Sequence, residues 1–119
     1  MTTQIQRHQS NSRMSKIVRH GAIVYLSGQT ASGSDAEGVA AQTREVLSRI
    51  DALLGEAGTD RGRMLSVLIH LKSMDDFGAM NEVWESWITS ATAPARTTVE
   101  ARLASDKLLV EMTVIAAAD

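Results

Sequence analysis

The spacing of apolar residues changes period several times along this chain, and each change marks an element. The run AIVYLS from Ala22 to Ser27 is short, apolar and partly β-branched, which predicts a strand; Ile17-Val18, ahead of a His20-Gly21 turn, predicts another short one. Beyond the Gly28 to Gly33 loop the period lengthens. Val39, Val46, Leu47, Ile50, Leu53 and Leu54 fall on one face of an amphipathic helix. Ser34 with Glu37 three residues on predicts its start as a capping box, Gly55 weakens its end and Gly58 stops it. Met64 to Leu71 (MLSVLIHL) predicts a largely buried strand. Ser73 and Asp76 repeat the capping signal before a second helix with Phe77, Met80, Trp84, Trp87 and Ile88 on one stripe. Pro94 cannot continue that helix, so Ser90 to Pro94 is read as a loop. Thr97 to Leu103 and Leu108 to Ala116 predict the last two strands, joined by an Ala104-Ser105-Asp106 link of hairpin length.

This order of elements predicts a single α/β domain over residues 1–119, with a mixed sheet and two helices packed on one face. Residues 1–13 read as a polar leader. The strands carry apolar side chains of both parities: Leu108, Val110, Met112 and Val114 alternate with Leu109, Glu111, Thr113 and Ile115, and Ala22, Val24 and Leu26 with Ile23, Tyr25 and Ser27. Two helices cover only one face, so the other needs a cover, and a second copy of the chain is the simplest one.

Composition narrows the chemistry. Twelve Lys and Arg against fourteen Asp and Glu give a formal net charge of −2, which disfavours nucleic acid as a partner. With no cysteine, disulfides, thiolate catalysis and Cys-based metal sites are excluded. The start of the chain has no apolar run resembling a signal segment, and no run approaches the ~18 residues of a membrane span. The cytoplasm is the default location.

Most catalytic constellations are missing. His8, His20 and His70 are dispersed without metal-ligand spacing, and His70 reads as a structural histidine in an apolar strand. No phosphate-binding glycine loop or nucleophile elbow is present. Asp75-Asp76 suits a helix start, and Gly55, Gly58 and Gly62 suit turns. Two residues stand out. Arg96 follows Ala93-Pro94-Ala95 at a strand entrance, where its planar fork can clamp a carboxylate. Glu111 sits inside LLVEMTVIA, where a buried carboxylate must be paired, hydrogen-bonded or protonated. These residues alone leave two readings open: a functional pair, or a purely structural ion pair in which Arg96 or another arginine neutralises Glu111.

The strings VYLSGQT (24–30), DDFGAMNEVWESW (75–87), APARTTVEARL (93–103) and LLVEMTVIAA (108–117), in this order, resemble the reactive-intermediate (enamine/imine) deaminase family, the Rid or YjgF-type proteins. The likeness spans Lys16 to Ala117. It implies a chorismate-mutase-like fold, a homotrimer with sites in the clefts between subunits, and no cofactor. It also implies hydrolysis of small 2-imino or 2-enamino acids to 2-keto acids and ammonia. The family's substrate-binding arginine falls on Arg96 and its site glutamate on Glu111; Asn81, Ser27 and Gly28 match further site positions. Thr98 stands where many relatives have cysteine. Where proven deaminases carry a tyrosine in a GPY-like stretch, this chain has Arg13-Met14-Ser15, so Met14 takes the tyrosine's place and marks a divergent branch. In this scheme Arg96 holds the substrate carboxylate and Glu111, directly or through a water, moves protons. The rival readings are a protein that senses a small carboxylate through Arg96 without turnover, and a ribonuclease or translation inhibitor, which the acidic composition disfavours.

Overall fold

The computed structural model describes residues 3–89 and 92–119. Six strands and two long helices follow one another as β1 (Ile5–Ser10), β2 (Ser15–His20), β3 (Ile23–Leu26), α1 (Gly38–Glu56), β4 (Met64–Leu71), α2 (Phe77–Ile88), β5 (Ala95–Glu100) and β6 (Val110–Ala117). The strands form one sheet in the order β1-β2-β3-β6-β4-β5. Only β4 and β5 run parallel, because α2 carries the chain back between them; every other neighbouring pair is antiparallel.

The helix stripes are where their period put them. Val39, Val46, Leu47, Ile50, Leu53 and Leu54 of α1 and Met80, Trp84 and Ile88 of α2 are buried against the inward parity of the sheet: Ile17, Val24, Leu26, Val67, Ile69, Val110, Met112 and Val114. Gln42 is buried as well, and it ties the approach to β6 onto α1: its Nε2 donates to the Lys107 carbonyl and its Oε1 accepts from the Leu109 N–H, both at 2.8 Å. Among the described residues, no helix lies over the opposite parity of the sheet. Tyr25, Leu68 and Val99 are exposed there, beside half-buried Val18, Ile23, Thr113 and Ile115.

Several boundaries differ from the sequence reading. Part of the polar leader is strand β1, exposed along its whole length and paired with β2 through the backbone; Met1 and Thr2 lie outside the described residues. Helix α1 starts at Gly38, not Ser34, because Gly38 takes a left-handed φ of 81° that a helix interior does not accommodate. Ser34 instead closes a turn, donating to the Ala31 carbonyl at 2.7 Å. Ser73 does cap, accepting from the Asp75 N–H of a 3-10 turn over Met74–Asp76 that leads into α2. Helix α2 ends at Ile88; Ser90 and Ala91, part of the expected loop, lie outside the described residues.

The largest correction concerns the expected hairpin. β5 and β6 are not neighbours, since β4 lies between them. The connecting residues wrap the end of β4 instead: the Ala101 N–H donates to the Leu71 carbonyl at 2.8 Å and the Lys72 N–H to the Leu109 carbonyl at 3.0 Å. Burial explains the order. β6 has a fully buried inner parity and is half-buried on the other, as suits a central strand, whereas β5 is mostly exposed and takes the edge.

Candidate functional site

Arg96 lies on edge strand β5, paired with Val67 of β4, so it shares the helix-covered face with Val67 and with Thr98 two residues on. Above it runs α2. Phe77, Asn81 and Trp84 are four and three residues apart, one turn above another on the same side of that helix. The Arg96 guanidinium carbon stands 5.4 Å from the Trp84 ring centroid and 5.9 Å from that of Phe77. Asn81 lies between those two rings along the helix. None of the ion pairs among the described residues includes Arg96. Burial pulls its pKa below the usual guanidinium value, and the negative charge of Glu85 pushes it partly back up. Asn81 Oδ1 and Thr98 Oγ1 are buried without a hydrogen-bond partner. Buried polar atoms are normally satisfied, so these two, on the elements that flank Arg96, have hydrogen-bonding capacity left over.

Glu111 belongs to a second cluster. It faces His70 across the β4–β6 pair, on the sheet face that carries no helix. Its carboxylate lies over the backbone of Gly28, where a Cβ would come within 2.7 Å of Oε2. The loop that brings Gly28 there is fixed by paired backbone bonds between Gln29 and Met112, 2.8 and 3.0 Å long. The buried Gln29 side chain braces it further, donating from Nε2 to the Ser27 carbonyl and hydroxyl. The SGQ stretch is thus a small backbone shelf under a carboxylate. His70 Nδ1 is buried without a partner, so the sequence reading of a satisfied structural histidine does not describe that atom.

The predicted site residues therefore assemble as two groups, Arg96 with Asn81 and Thr98, and Glu111 with Ser27 and Gly28. Arg96 and Glu111 are two strands apart and on opposite faces of the sheet. They form no ion pair with each other within the chain. Met14 stands apart from both, half exposed beyond β1 in a turn closed by an Asn11 N–H to Met14 carbonyl bond of 2.9 Å. Sequence reasoning took Phe77 and Trp84 for core alone and missed that both rings meet Arg96. Their spacing around Asn81 was the available signal.

A mixed six-stranded sheet with two helices on one face and a half-buried arginine on its edge strand defines a class of small α+β domains, and comparison with known proteins gives the family. The sequence signature described as Endoribonuclease L-PSP matches residues 4–118. A RutC family protein of Haemophilus influenzae is 35% identical over 112 residues, covering 94% of this chain and 97% of the relative. The crystal structure of NMB1025, a YjgF-family member from Neisseria meningitidis, superposes with a TM-score of 0.93 at 35% identity, covering 98% of this chain and 97% of that one. YyfA of Yersinia pestis, from the Rid protein family, reaches 0.83 at 28% identity, with 91% and 90% covered. The chain belongs to the YjgF/Rid (Ribonuc_L-PSP) family. No helix among the described residues is long and apolar enough to cross a membrane.

Proposed function

We propose that the protein hydrolyses small 2-imino or 2-enamino acids, such as 2-aminoacrylate and its imine, at sites completed between copies of the chain in a homotrimer. The observation that carries this reading is Arg96: half-buried, facing two aromatic rings and without a carboxylate partner among the described residues. A substrate carboxylate would supply that partner as a bidentate fork. Fixing one end of the molecule sets the C=N carbon in place for water. Glu111 would take a proton from the attacking water and return one to the departing nitrogen, so imine plus water yields 2-keto acid plus ammonia.

Because the sheet separates Arg96 from Glu111 within one chain, a single ligand meets both only if one of them comes from a neighbouring copy. The apolar face around Tyr25, Leu68 and Val99 is a surface on which such a neighbour could rest. Met14, in the tyrosine's place and without a hydroxyl, favours a second reading: a small-carboxylate sensor that binds through Arg96 and turns nothing over. One experiment separates the two. With 2-aminoacrylate generated in situ, a deaminase accelerates ammonia and pyruvate release over the uncatalysed rate, and Arg96→Ala abolishes the acceleration. A sensor binds pyruvate but leaves the rate unchanged.

A further inference from the structure

We propose that Phe77 and Trp84 are positioning residues for Arg96, holding its guanidinium against their rings and free of any internal carboxylate so that a small anion can bind it. This rests on the reading of Arg96 as the carboxylate-binding group, though not on turnover. Where a resident carboxylate neutralises an arginine, an incoming anion has to displace it. Here α2 presents two π faces to the guanidinium, 5.4 and 5.9 Å from their centroids. A ring face attracts the cation through its quadrupole but offers no lone pair, so the contact compensates charge without using the in-plane N–H donors. Those donors stay available for a bidentate carboxylate.

The helix period sets this arrangement. Residues 77, 81 and 84 lie along the side of α2 that meets β5, and they are aromatic, amide and aromatic. Glu85, whose charge reaches Arg96, comes one position after Trp84. It is close enough to favour the charged form of Arg96, yet no ion pair forms. The amide between the rings presents its buried, unpartnered Oδ1, and Thr98 beside Arg96 presents an unpartnered hydroxyl. Trp84 is buried and also packs in the core, whereas Phe77 is 38% exposed and can be changed with less cost to packing.

The test uses pyruvate as the probe, with its affinity measured by calorimetry on full-length protein and the melting temperature and oligomeric mass taken on the same samples. Phe77→Leu and Trp84→Leu keep apolar volume and lose the π face, and each should weaken pyruvate about tenfold. Phe77→Tyr and Trp84→Phe keep a ring and should stay near wild-type affinity. Should Trp84→Leu fold poorly, Phe77→Leu, at the surface, carries the test. A packing role predicts instead that the leucine variants lose melting temperature and leave the affinity of the folded protein unchanged, and that result overturns the proposal. So does a wild-type protein that does not bind pyruvate at all. If pyruvate binds with the expected ring dependence while 2-aminoacrylate is not turned over, the aromatic hold on Arg96 stands and the deaminase reading falls.

Discussion

Gly28 supports the carboxylate of Glu111 so closely that a methyl group on its Cα would stand 2.7 Å from Oε2 and 3.0 Å from Cδ. The atoms in the way belong to the far end of a flexible side chain, and Gly28 itself does not have a positive φ. Gly28→Ala should therefore fold with a melting temperature close to wild type while pushing the carboxylate off its shelf. Imine hydrolysis is expected to fall about tenfold or more, as for a displaced general base. Comparing the rate on 2-aminoacrylate with the thermal melt of the same sample checks this, and an alanine variant with undiminished turnover would take Glu111 out of the mechanism.

Arg96→Lys keeps the charge and loses the planar fork. Each lost charge-assisted hydrogen bond to a substrate carboxylate should cost ~1.5–3 kcal/mol, so pyruvate affinity drops at least tenfold while the fold survives. Calorimetric titration beside a melting curve reads both quantities. Wild-type affinity in the lysine variant would exclude Arg96 as the carboxylate clamp.

Glu111→Gln preserves shape and removes the base. Pyruvate binding should remain near wild type and hydrolysis of 2-aminoacrylate should slow by ~100-fold. Parallel loss of binding and rate would mean that the carboxylate charge shapes the site rather than moving protons.

The two tryptophans should differ in stability. Trp84 is buried in the core, and replacing it by alanine is expected to cost ~3–5 kcal/mol. Trp87 is only partly buried and owes more to polar contacts: its Nε1 donates to Asp51 Oδ2 at 2.9 Å, and Arg61 binds the same carboxylate with two nitrogens while lying 4.4 Å over the indole ring. Asp51→Ala strips the acceptor from both and should cost ~1–2 kcal/mol in this half-exposed setting. Urea unfolding of the three proteins measures the order; an Asp51→Ala loss exceeding that of Trp84→Ala would reverse it.

Light scattering should return the mass of three 12.8 kDa chains at low micromolar concentration. Tyr25→Glu combined with Leu68→Glu places charges on the helix-free face of the sheet, and the expected result is a folded monomer that no longer hydrolyses 2-aminoacrylate. A wild-type monomer with full activity would remove the shared site.

Much of the fold was readable from local periodicity, and the failures have local causes too. The stripe of α1, the bounds of Met64–Leu71 and the two parities of β6 all follow from side-chain spacing, because burial on one face imposes it. β1 was unreadable as a strand since IQRHQS buries nothing and is held by backbone pairing to β2. The start of α1 was misplaced because the capping signal of Ser34 competes with the left-handed turn at Gly38, and the backbone decides. Strand pairing was the hardest part: a three-residue link suggested a hairpin, but the parallel crossover through α2 had already given one edge of β4 to β5. The same gap affected the site. Arg96 and Glu111 were recognisable as residues, yet their opposite facing depends on the register of β5 and β6 against β4, which sequence spacing does not contain.

That strand order also bears on how the chain matures. β6 is sixth along the chain and fourth across the sheet, so before residues 110–117 arrive, β1-β2-β3 and β4-β5 are two separate ribbons with no common edge. Joining them brings Ile23 opposite Ala117 and Leu71 opposite Val110, and the first of these closes a loop of most of the molecule, an entropically costly and slow kind of contact. During synthesis each ribbon waits with the edge that β6 will fill still open, a row of amides and carbonyls next to apolar side chains, the combination that recruits foreign strands. A polypeptide interrupted before Val110 would thus be two sticky ribbons rather than a smaller version of the fold, and a cell making this protein would depend on chaperones most in the interval before its central strand emerges.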